Sequence, residues 1–574
     1  TLPCGGIRGV TPVRGIWLLL LGLLLVLGGS WAASRVQSAD GTRVTDIRFA
    51  GDNGATLRAL LYVPAGVDVA HKAPAILAVH GYINTAEMQS AFAIEYARRG
   101  YVVLALDQAG HGYSSGPAFA GGFGGPAALR YLRSLPYVDT ANIGLEGHSM
   151  GGWTVLAAAS ALPNGYRSMV LEGSSTGKPF AADGTPGWPR NVALVFSRFD
   201  EFAQIMWGVD RAQDVPDSPK LQALFGTTAP VIPGRIYGDI ATGTARRLTM
   251  PVATHPGDHI SHAAVADSLD WFGRTLQGGK PRAPTDQIWL TKEFATGVAL
   301  VGIVPLLVGV FSLFLALPPF APLRSTPEPR VRRRDRQWRR TFWLTALVPP
   351  LTLLPVFIAV TLWLPPSALL PQTVSTQVVL WMLVNAAITW ALDRRQPPVP
   401  YVAPYWGRSL VLALLTVGIA YALVVAVAAL FTVDLRFWVV ALKPLSAAQA
   451  RILPVYLLPM LLFFIVSQRT LLGRLMVAGE GPWRQTLVAV GALAGGFVLL
   501  LGLDYLVLFA TGRLPTGFDP LTTVIAIQFI PLLAALGVIA VACWRRTASA
   551  VPGALLSALL VAWYVVAGTA TQFG

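Results

Sequence analysis

Ser149 lies at the centre of Gly147-His148-Ser149-Met150-Gly151, a segment with the pattern G-x-S-x-G. The apolar run 142–147 before the serine predicts a strand, and residues 150–161 after it predict a helix. A serine in a tight strand-to-helix turn presents its hydroxyl at the helix N-terminus, where backbone N–H groups stabilise developing negative charge. The flanking glycines relieve the crowding in such a turn. The pattern therefore predicts that Ser149 is a nucleophile for acyl transfer.

A serine nucleophile needs a base, and after a G-x-S-x-G turn the base is the last of the three catalytic residues in the chain. Only His255, His259 and His262 follow Ser149, and all three lie in one loop and helix start. His262 is predicted to begin the helix. His255 is the preferred base because it comes soonest after the last predicted strand, and His259 is the alternative.

The acid that orients the base is expected at the end of the preceding strand, 191–197. Asp200 fits this position, and Glu201 is the alternative. Glu172, at the end of another strand, is a weaker candidate, and Asp258 lies too close to the histidines in sequence. The acid is thus the least determined member of the predicted Ser-His-acid set.

An oxyanion hole needs two backbone donors in this arrangement. The residue after the nucleophile, Met150, supplies the first N–H. The second is assigned to Tyr82, in the loop after strand 75–80, and His80 is predicted to orient that loop. No group of His, Cys and acidic residues has zinc-ligand spacing, so neither a metal nor another cofactor is predicted.

The elements around these residues alternate between strand and helix, which predicts an α/β fold with a mostly parallel sheet. Reactive groups then gather at the carboxyl ends of the strands. Residues 203–245 separate the acid from the base and form a possible lid. The predicted strands are 43–50, 56–63, 75–80, 101–107, 142–147, 168–173, 191–197 and 246–253, and the helices are 87–99, 122–134, 150–161 and 262–276.

The whole chain is too apolar for a purely soluble or disordered protein. It has 574 residues, of which 54% are hydrophobic and 13% charged, with a net charge of +15. Residues 34–285 carry 21 basic and 20 acidic side chains, so nearly all of the excess charge lies in the apolar flanks. Basic charge placed there argues against a nucleic-acid partner.

Three regions follow from this division: a signal anchor or cleavable signal at 1–33, an α/β domain at 34–285, and an all-α polytopic transmembrane domain at 286–574. The loop 318–341 contains eight arginines. The positive-inside rule then places the α/β domain outside the cytoplasm. The exception is loop 432–451, a predicted outside loop with three basic residues, which is interpreted as an interfacial segment. Eight later spans are predicted near 294–317, 342–364, 374–392, 408–431, 452–468, 485–510, 522–544 and 551–571.

The middle region resembles the α/β-hydrolase superfamily, near its dienelactone-hydrolase and acylaminoacyl-peptidase-like branches. The similarity is carried by His80-Gly81, by the stretch from Asp107 to Ser114, and by Asp139 through Gly152. It covers about 40–280 and is specific for the fold and for a serine nucleophile, but not for the substrate. The pattern around Thr254-His255 is similar to that of membrane-anchored bacterial hydrolases.

The leading hypothesis is a membrane-embedded, extracytoplasmic serine hydrolase that cleaves an ester of esterase or lipase type. A serine peptidase of related fold is one alternative, and a transporter or assembly scaffold with an inactive hydrolase domain is another. The predicted partners are a small-molecule, lipid or peptide acyl substrate and the membrane lipids. Whether the protein has protein partners is left open by the sequence.

Overall fold

A computed structural model describes residues 12–396 and 405–573. Nine strands form one sheet in the order β1-β2-β4-β3-β5-β6-β7-β9-β8. The six strands from β4 to β9 in that order are parallel to one another, whereas β1, β2 and β8, towards the edges, each form antiparallel pairs with their neighbours. The strands are β1 (Arg43–Ala50), β2 (Thr56–Val63), β3 (Ala73–Val79), β4 (Val102–Asp107), β5 (Val138–His148), β6 (Ser168–Glu172), β7 (Val192–Val195), β8 (Ile236–Tyr237) and β9 (Arg246–Thr249).

Helices cover both faces of this sheet, because its central strands are apolar on both sides. Leu77 of β3 packs with the core on one face, and its neighbour Ile76 packs with the core on the other. The predicted α/β fold with a mostly parallel sheet is confirmed. One face carries α3 (Gly125–Ser134), α4 (Met150–Ala161), α5 (Ala203–Trp207) and α6 (Pro219–Phe225), and the other carries α2 (Ser90–Arg98) and α7 (His262–Thr275).

The segment 203–245, interpreted from sequence as a possible lid, contains α5, α6 and β8. Its apolar side chains Trp207, Leu221 and Leu224 are fully buried in the same core as α3 and α4. The apolar face of this segment therefore packs on the domain itself.

In the described ranges, nine helices are long and apolar enough to cross a membrane. All nine overlap the segments predicted from hydropathy. The span predicted near 374–392 is one continuous helix of 21 residues, Thr373–Asp393. The helices are α1 (Pro12–Gln37), α8 (Trp289–Ala316), α9 (Arg336–Trp363), α10 (Thr373–Asp393), α11 (Trp406–Phe431), α12 (Ala447–Leu475), α13 (Pro482–Thr511), α14 (Pro520–Thr547) and α15 (Val551–Gly568).

Helices α1 and α8 lie against each other through glycines. A Cβ added at Gly22 would be 2.6 Å from the backbone nitrogen of Leu306, and one at Gly309 would be 2.5 Å from that of Leu19. Small residues let two apolar helices approach closely in this way, which replaces lipid contacts with dense packing. The first helix is thus packed directly on the helix that follows the sheet domain.

Loop 432–451 forms a short antiparallel hairpin of β10 (Leu435–Phe437) and β11 (Val440–Leu442). Two of its basic residues, Arg436 and Lys443, are buried against the sheet domain. Their charges therefore face protein carboxylates, which explains why a predicted outside loop is rich in basic residues.

Candidate active site

Ser149 occupies a strained turn between β5 and α4. Its backbone has φ 55° and ψ −121°, a conformation that costs a non-glycine residue free energy and that clusters at functional sites. Its N–H donates to the carbonyl of Glu172 at 2.8 Å, which fixes the turn to the neighbouring strand β6. A Cβ at Gly147 would clash with the backbone of Gly151, and one at Gly151 would clash with that of Val79. Glycine is therefore required on both sides of the serine, and Ser149 itself is half-buried.

His255 and Asp200 meet at the carboxyl ends of β7 and β9. The Nδ1 atom of His255 lies 2.8 Å from Oδ2 of Asp200, and the other carboxylate oxygen accepts the N–H of Phe202 at 2.8 Å. The ring of Phe202 packs 4.3 Å from the imidazole, centroid to centroid. These contacts fix the orientation of the imidazole and leave Nε2 as the nitrogen that is free to accept a proton.

The ionisation of His255 is governed by two opposing effects. Burial disfavours the imidazolium, but the Asp200 carboxylate and its hydrogen bond outweigh burial, so the pKa of His255 lies above its ordinary value. Glu201 and Asp258 act in the same direction as Asp200. A histidine whose cation is stabilised by a buried carboxylate is suited to take a proton from a serine hydroxyl.

The turn after β6 lies close both to the serine and to the His255–Asp200 pair. Gly173 follows β6 with φ +52°, and a Cβ at this position would lie 2.9 Å from Nδ1 of His255 and 3.2 Å from Oδ2 of Asp200. The preceding residue, Glu172, holds the backbone of Ser149. The turn after β6 thus contacts both the serine backbone and the His255–Asp200 pair.

His259, the alternative base, has a different environment. Neither of its ring nitrogens has a hydrogen-bond partner among the described residues, and its ring packs 4.1 Å from that of His148. Burial, together with the positive potential of His255, lowers the pKa of His259 to about 3. The structure pairs His255, not His259, with a carboxylate.

Glu201, the alternative acid, lies beside the pair without touching the imidazole nitrogens. Its Oε2 accepts the backbone N–H of His255 at 2.7 Å. Burial and the neighbouring Asp200 raise the pKa of Glu201 to about 7. Glu201 therefore supports the backbone of His255, while Asp200 contacts its ring.

The two predicted oxyanion donors belong to segments that border the turn of Ser149. Met150 is the first residue of α4, so its N–H has no acceptor within the helix. The loop after β3 approaches the nucleophile closely, since a Cβ at Gly81 would be 3.1 Å from the Cβ of Ser149. His80 lies beneath this loop, where its Nδ1 is 2.6 Å from the carbonyl of Gly81 and its Nε2 accepts the N–H of Gln108. The next residue, Tyr82, is half-buried.

Residues from the membrane helices and their loops also reach the site, and no sequence motif connects them with it. Tyr505 of α13 donates its hydroxyl proton to Oε1 of Glu201 at 2.7 Å. The indole N–H of Trp438, in the hairpin, donates to the carbonyl of Pro256 at 2.6 Å. The amide of Gln572 donates to the hydroxyl of Tyr82 at 3.1 Å. In the described part of the chain, no cluster of three or more His, Cys, Asp and Glu residues is arranged to hold a metal ion.

Comparison with known proteins agrees with the fold of the sheet domain. Residues 74–205, from β3 to α5, match the family model of the α/β-hydrolase fold. Together with the order and direction of the strands, this match identifies the sheet domain as an α/β-hydrolase, and the nine apolar helices fit a membrane domain fused to it. No curated protein sequence is significantly similar to the chain.

Solved structures resemble parts of the chain at low similarity. A hypothetical protein from Pseudomonas aeruginosa is 26% identical over 24% of this chain and 44% of its own, with a TM-score of 0.22. A Pyrococcus furiosus esterase is 14% identical over 41% of this chain and 89% of its own, with a TM-score of 0.29. Dipeptidyl peptidase 4 from Porphyromonas gingivalis is 16% identical over 40% of this chain and 35% of its own, with a TM-score of 0.30. The chain thus spans less than half of the first and third of these proteins, and such scores indicate no particular activity.

Proposed function

We propose that the protein is a membrane-embedded serine hydrolase that cleaves an ester through Ser149, His255 and Asp200. The observation that carries the proposal is the strained turn of Ser149 at the same edge of the sheet as the hydrogen-bonded pair of His255 and Asp200. A strained serine at the same sheet edge as an oriented imidazole is the arrangement expected to activate a hydroxyl for attack on a carbonyl.

In the proposed mechanism, Ser149 Oγ attacks the ester carbonyl while its proton passes to Nε2 of His255. Asp200 accepts a hydrogen bond from the Nδ1–H of His255, remains ionised and stabilises the imidazolium that forms. The N–H groups of Met150 and Tyr82 stabilise the oxyanion of the tetrahedral intermediate. The imidazolium then protonates the leaving alcohol, and an acyl group remains on Ser149. His255 then deprotonates a water molecule, which attacks the acyl carbonyl. The acid is released, and the imidazolium returns the proton to Ser149 Oγ.

The proposed location is the cell membrane, with the hydrolase domain on the extracytoplasmic side. Eight arginines lie from Arg324 to Arg340, five of them in the loop between α8 and α9 and three in the first turns of α9, and arginine-rich short loops remain in the cytoplasm. The α/β domain precedes α8, so it lies on the opposite side. Its substrates are then esters that occur outside the cytoplasm or in the membrane.

A fluorophosphonate probe tests the nucleophile directly, because it phosphonylates only an activated serine. We expect the purified full-length protein to be labelled, with the label mapped to Ser149, and we expect the Ser149→Ala variant to remain unlabelled. Ser160→Ala is a matched control, since Ser160 is an exposed residue of the same helix α4. Folded wild-type protein that takes up no probe would contradict the proposal, as would labelling that persists in Ser149→Ala. A panel of short esters, long-chain esters and peptides then identifies the bond that is cleaved.

A further inference from the structure

The loop that carries His255 is attached to the membrane domain through a chain of two hydrogen bonds. Tyr505 is one of the residues of α13, and its hydroxyl donates to one oxygen of Glu201 at 2.7 Å. The other oxygen of Glu201 accepts the backbone N–H of His255 at 2.7 Å. Both Glu201 and His255 are buried, so water does not compete for these bonds.

We propose that Tyr505 is a positioning residue for His255 and acts through Glu201, so that a membrane helix completes the active site of the hydrolase domain. The inference rests on the proposed function, because it assumes that His255 is the base. It goes beyond that function by giving one of the eight later membrane helices a part in the reaction.

Two neighbouring contacts show that Tyr505 belongs to a broader attachment of this loop. Phe509, one turn further along α13, packs its ring 5.1 Å from that of Phe199, in the segment that leads to Asp200. At the residue that follows His255 in the chain, the indole of Trp438 donates to the carbonyl of Pro256 at 2.6 Å. The segment that leads to Asp200 and the loop that carries His255 are therefore each in contact with a membrane-domain side chain.

The hydroxyl of Tyr505 has an electrostatic effect as well as a structural one. Three titratable groups face Glu201: Asp200 beside it, and His255 and Asp258 from the loop after β9. The hydroxyl of Tyr505 faces it from α13. Burial and Asp200 favour protonated Glu201, while the hydrogen bond from Tyr505 favours its carboxylate. Tyr505 thus helps to keep a negative charge near His255, and this charge raises the pKa of His255.

The Tyr505→Phe substitution in the full-length protein removes only this hydroxyl. We expect kcat to fall by about tenfold, the factor that corresponds to the loss of one hydrogen bond to a charged group, with KM changed by less than about twofold. Because less negative charge remains near His255, its pKa falls, and the acid limb of the kcat/KM profile moves to lower pH. Tyr564→Phe is the matched control, since it removes a hydroxyl that donates to Gln528 inside the membrane domain at 2.6 Å. This control is expected to retain wild-type kinetics and the wild-type pH profile.

Glu201→Gln provides an independent measurement if Tyr505→Phe does not fold. An amide still accepts the N–H of His255 but carries no charge, so the acid limb is expected to shift to lower pH and kcat to fall. If Tyr505 acts through Glu201, the double variant loses no more activity than Glu201→Gln alone, which is a non-additive result. A rigid structural role for Tyr505 would instead give additive losses without a shift of the acid limb.

The outcomes separate this inference from the proposed function. If wild type is active and Ser149→Ala is inactive, but folded Tyr505→Phe matches wild type in kcat and in pH profile, the positioning role of Tyr505 is wrong and the hydrolase remains. Additive losses in the double variant would also overturn it, as would unchanged kinetics and pH profile in Glu201→Gln. If the wild-type protein neither turns over esters nor takes up the fluorophosphonate, the proposed function itself has failed.

Discussion

At the scale of single residues, His255 and His259 differ in what their ring nitrogens contact. The Nδ1 atom of His255 lies 2.8 Å from Asp200, whereas His259 has no hydrogen-bond partner for either nitrogen among the described residues. We therefore expect His255→Ala to lower kcat/KM by roughly 10³-fold or more, the typical cost of removing a catalytic base. His259→Ala should retain activity within about tenfold, since it removes a buried ring without touching the carboxylate. Ester hydrolysis by the two purified variants checks this, and the reverse ranking would transfer the role of base to His259.

Asp200 sets the pH at which His255 becomes neutral. Burial disfavours the imidazolium, but the Asp200 carboxylate raises the pKa of His255 above its ordinary value, and the base is active only above that pKa. Asp200→Asn removes the charge, so the pKa of His255 falls and the acid limb of the kcat/KM profile moves to lower pH. We also expect kcat to drop by about 10⁴-fold, because an amide supports the wrong imidazole tautomer. Kinetics from pH 4 to 9 test both effects, and an unshifted acid limb would assign the acid to another carboxylate.

At the scale of elements, the turn after β6 has no room for a side chain. Gly173 has φ +52°, and a Cβ there would lie 2.9 Å from Nδ1 of His255. We expect Gly173→Ala to destabilise the protein by about 1–3 kcal/mol through backbone strain and to displace His255 from Asp200, with a loss of activity greater than the loss of folded protein. Gly187→Ala is the control, because Gly187 is exposed and has open space around its α-carbon. Thermal unfolding and ester hydrolysis of both variants give the comparison, and a fully active Gly173→Ala would show that the turn is not a constraint.

The strands and helices of the α/β domain could be predicted from sequence because each is a local pattern. The apolar runs at 142–147 and 168–173, which predict strands, lie in β5 and β6, and the G-x-S-x-G spacing between strand and helix predicts the turn of Ser149. Tyr505 could not be predicted in the same way. It meets Glu201 from a position 304 residues later, and the contact depends on how α13 packs against the sheet domain.

Buried charges join the two domains. Arg436 of the hairpin pairs with Asp434 at 2.8 Å and donates to Thr85 of the sheet domain at 3.1 Å. Glu87, two residues after Thr85, is buried, and its Oε1 lies 2.8 Å from Nη1 of Arg58. Burial disfavours its ionisation, but Arg58, followed by Lys443 and Arg436, holds the pKa of Glu87 below its ordinary value. The ionised state of Glu87, in the sheet domain, therefore depends partly on Lys443 and Arg436 of the membrane domain.

At the scale of the whole molecule, removing one of these cations should loosen the attachment of the domains. Arg436→Met keeps the apolar stem but leaves Asp434 and Glu87 with less positive charge, and breaking a buried pair costs about 3–5 kcal/mol. We expect a lower midpoint of thermal unfolding in detergent. Arg48→Met is the control, because Arg48 is exposed and its pair with Asp46, at 3.6 Å, is worth at most about 1 kcal/mol. Equal midpoints for the two variants would show that this cluster does not hold the domains together.

The distribution of the basic residues that give the net charge of +15 also predicts on which side of the membrane the hydrolase domain lies. The proposed ester cleavage would take place on that side. Val69 is 64% exposed in the hydrolase domain, and Thr326 is exposed in the loop between α8 and α9. In a Cys4→Ser background, where the buried Cys543 remains, a membrane-impermeant maleimide added to intact cells should label Val69→Cys and spare Thr326→Cys. After lysis, both variants should be labelled. Labelling of Thr326→Cys alone in intact cells would place the hydrolase domain in the cytoplasm, and the arginines of that loop would then need a role other than orientation.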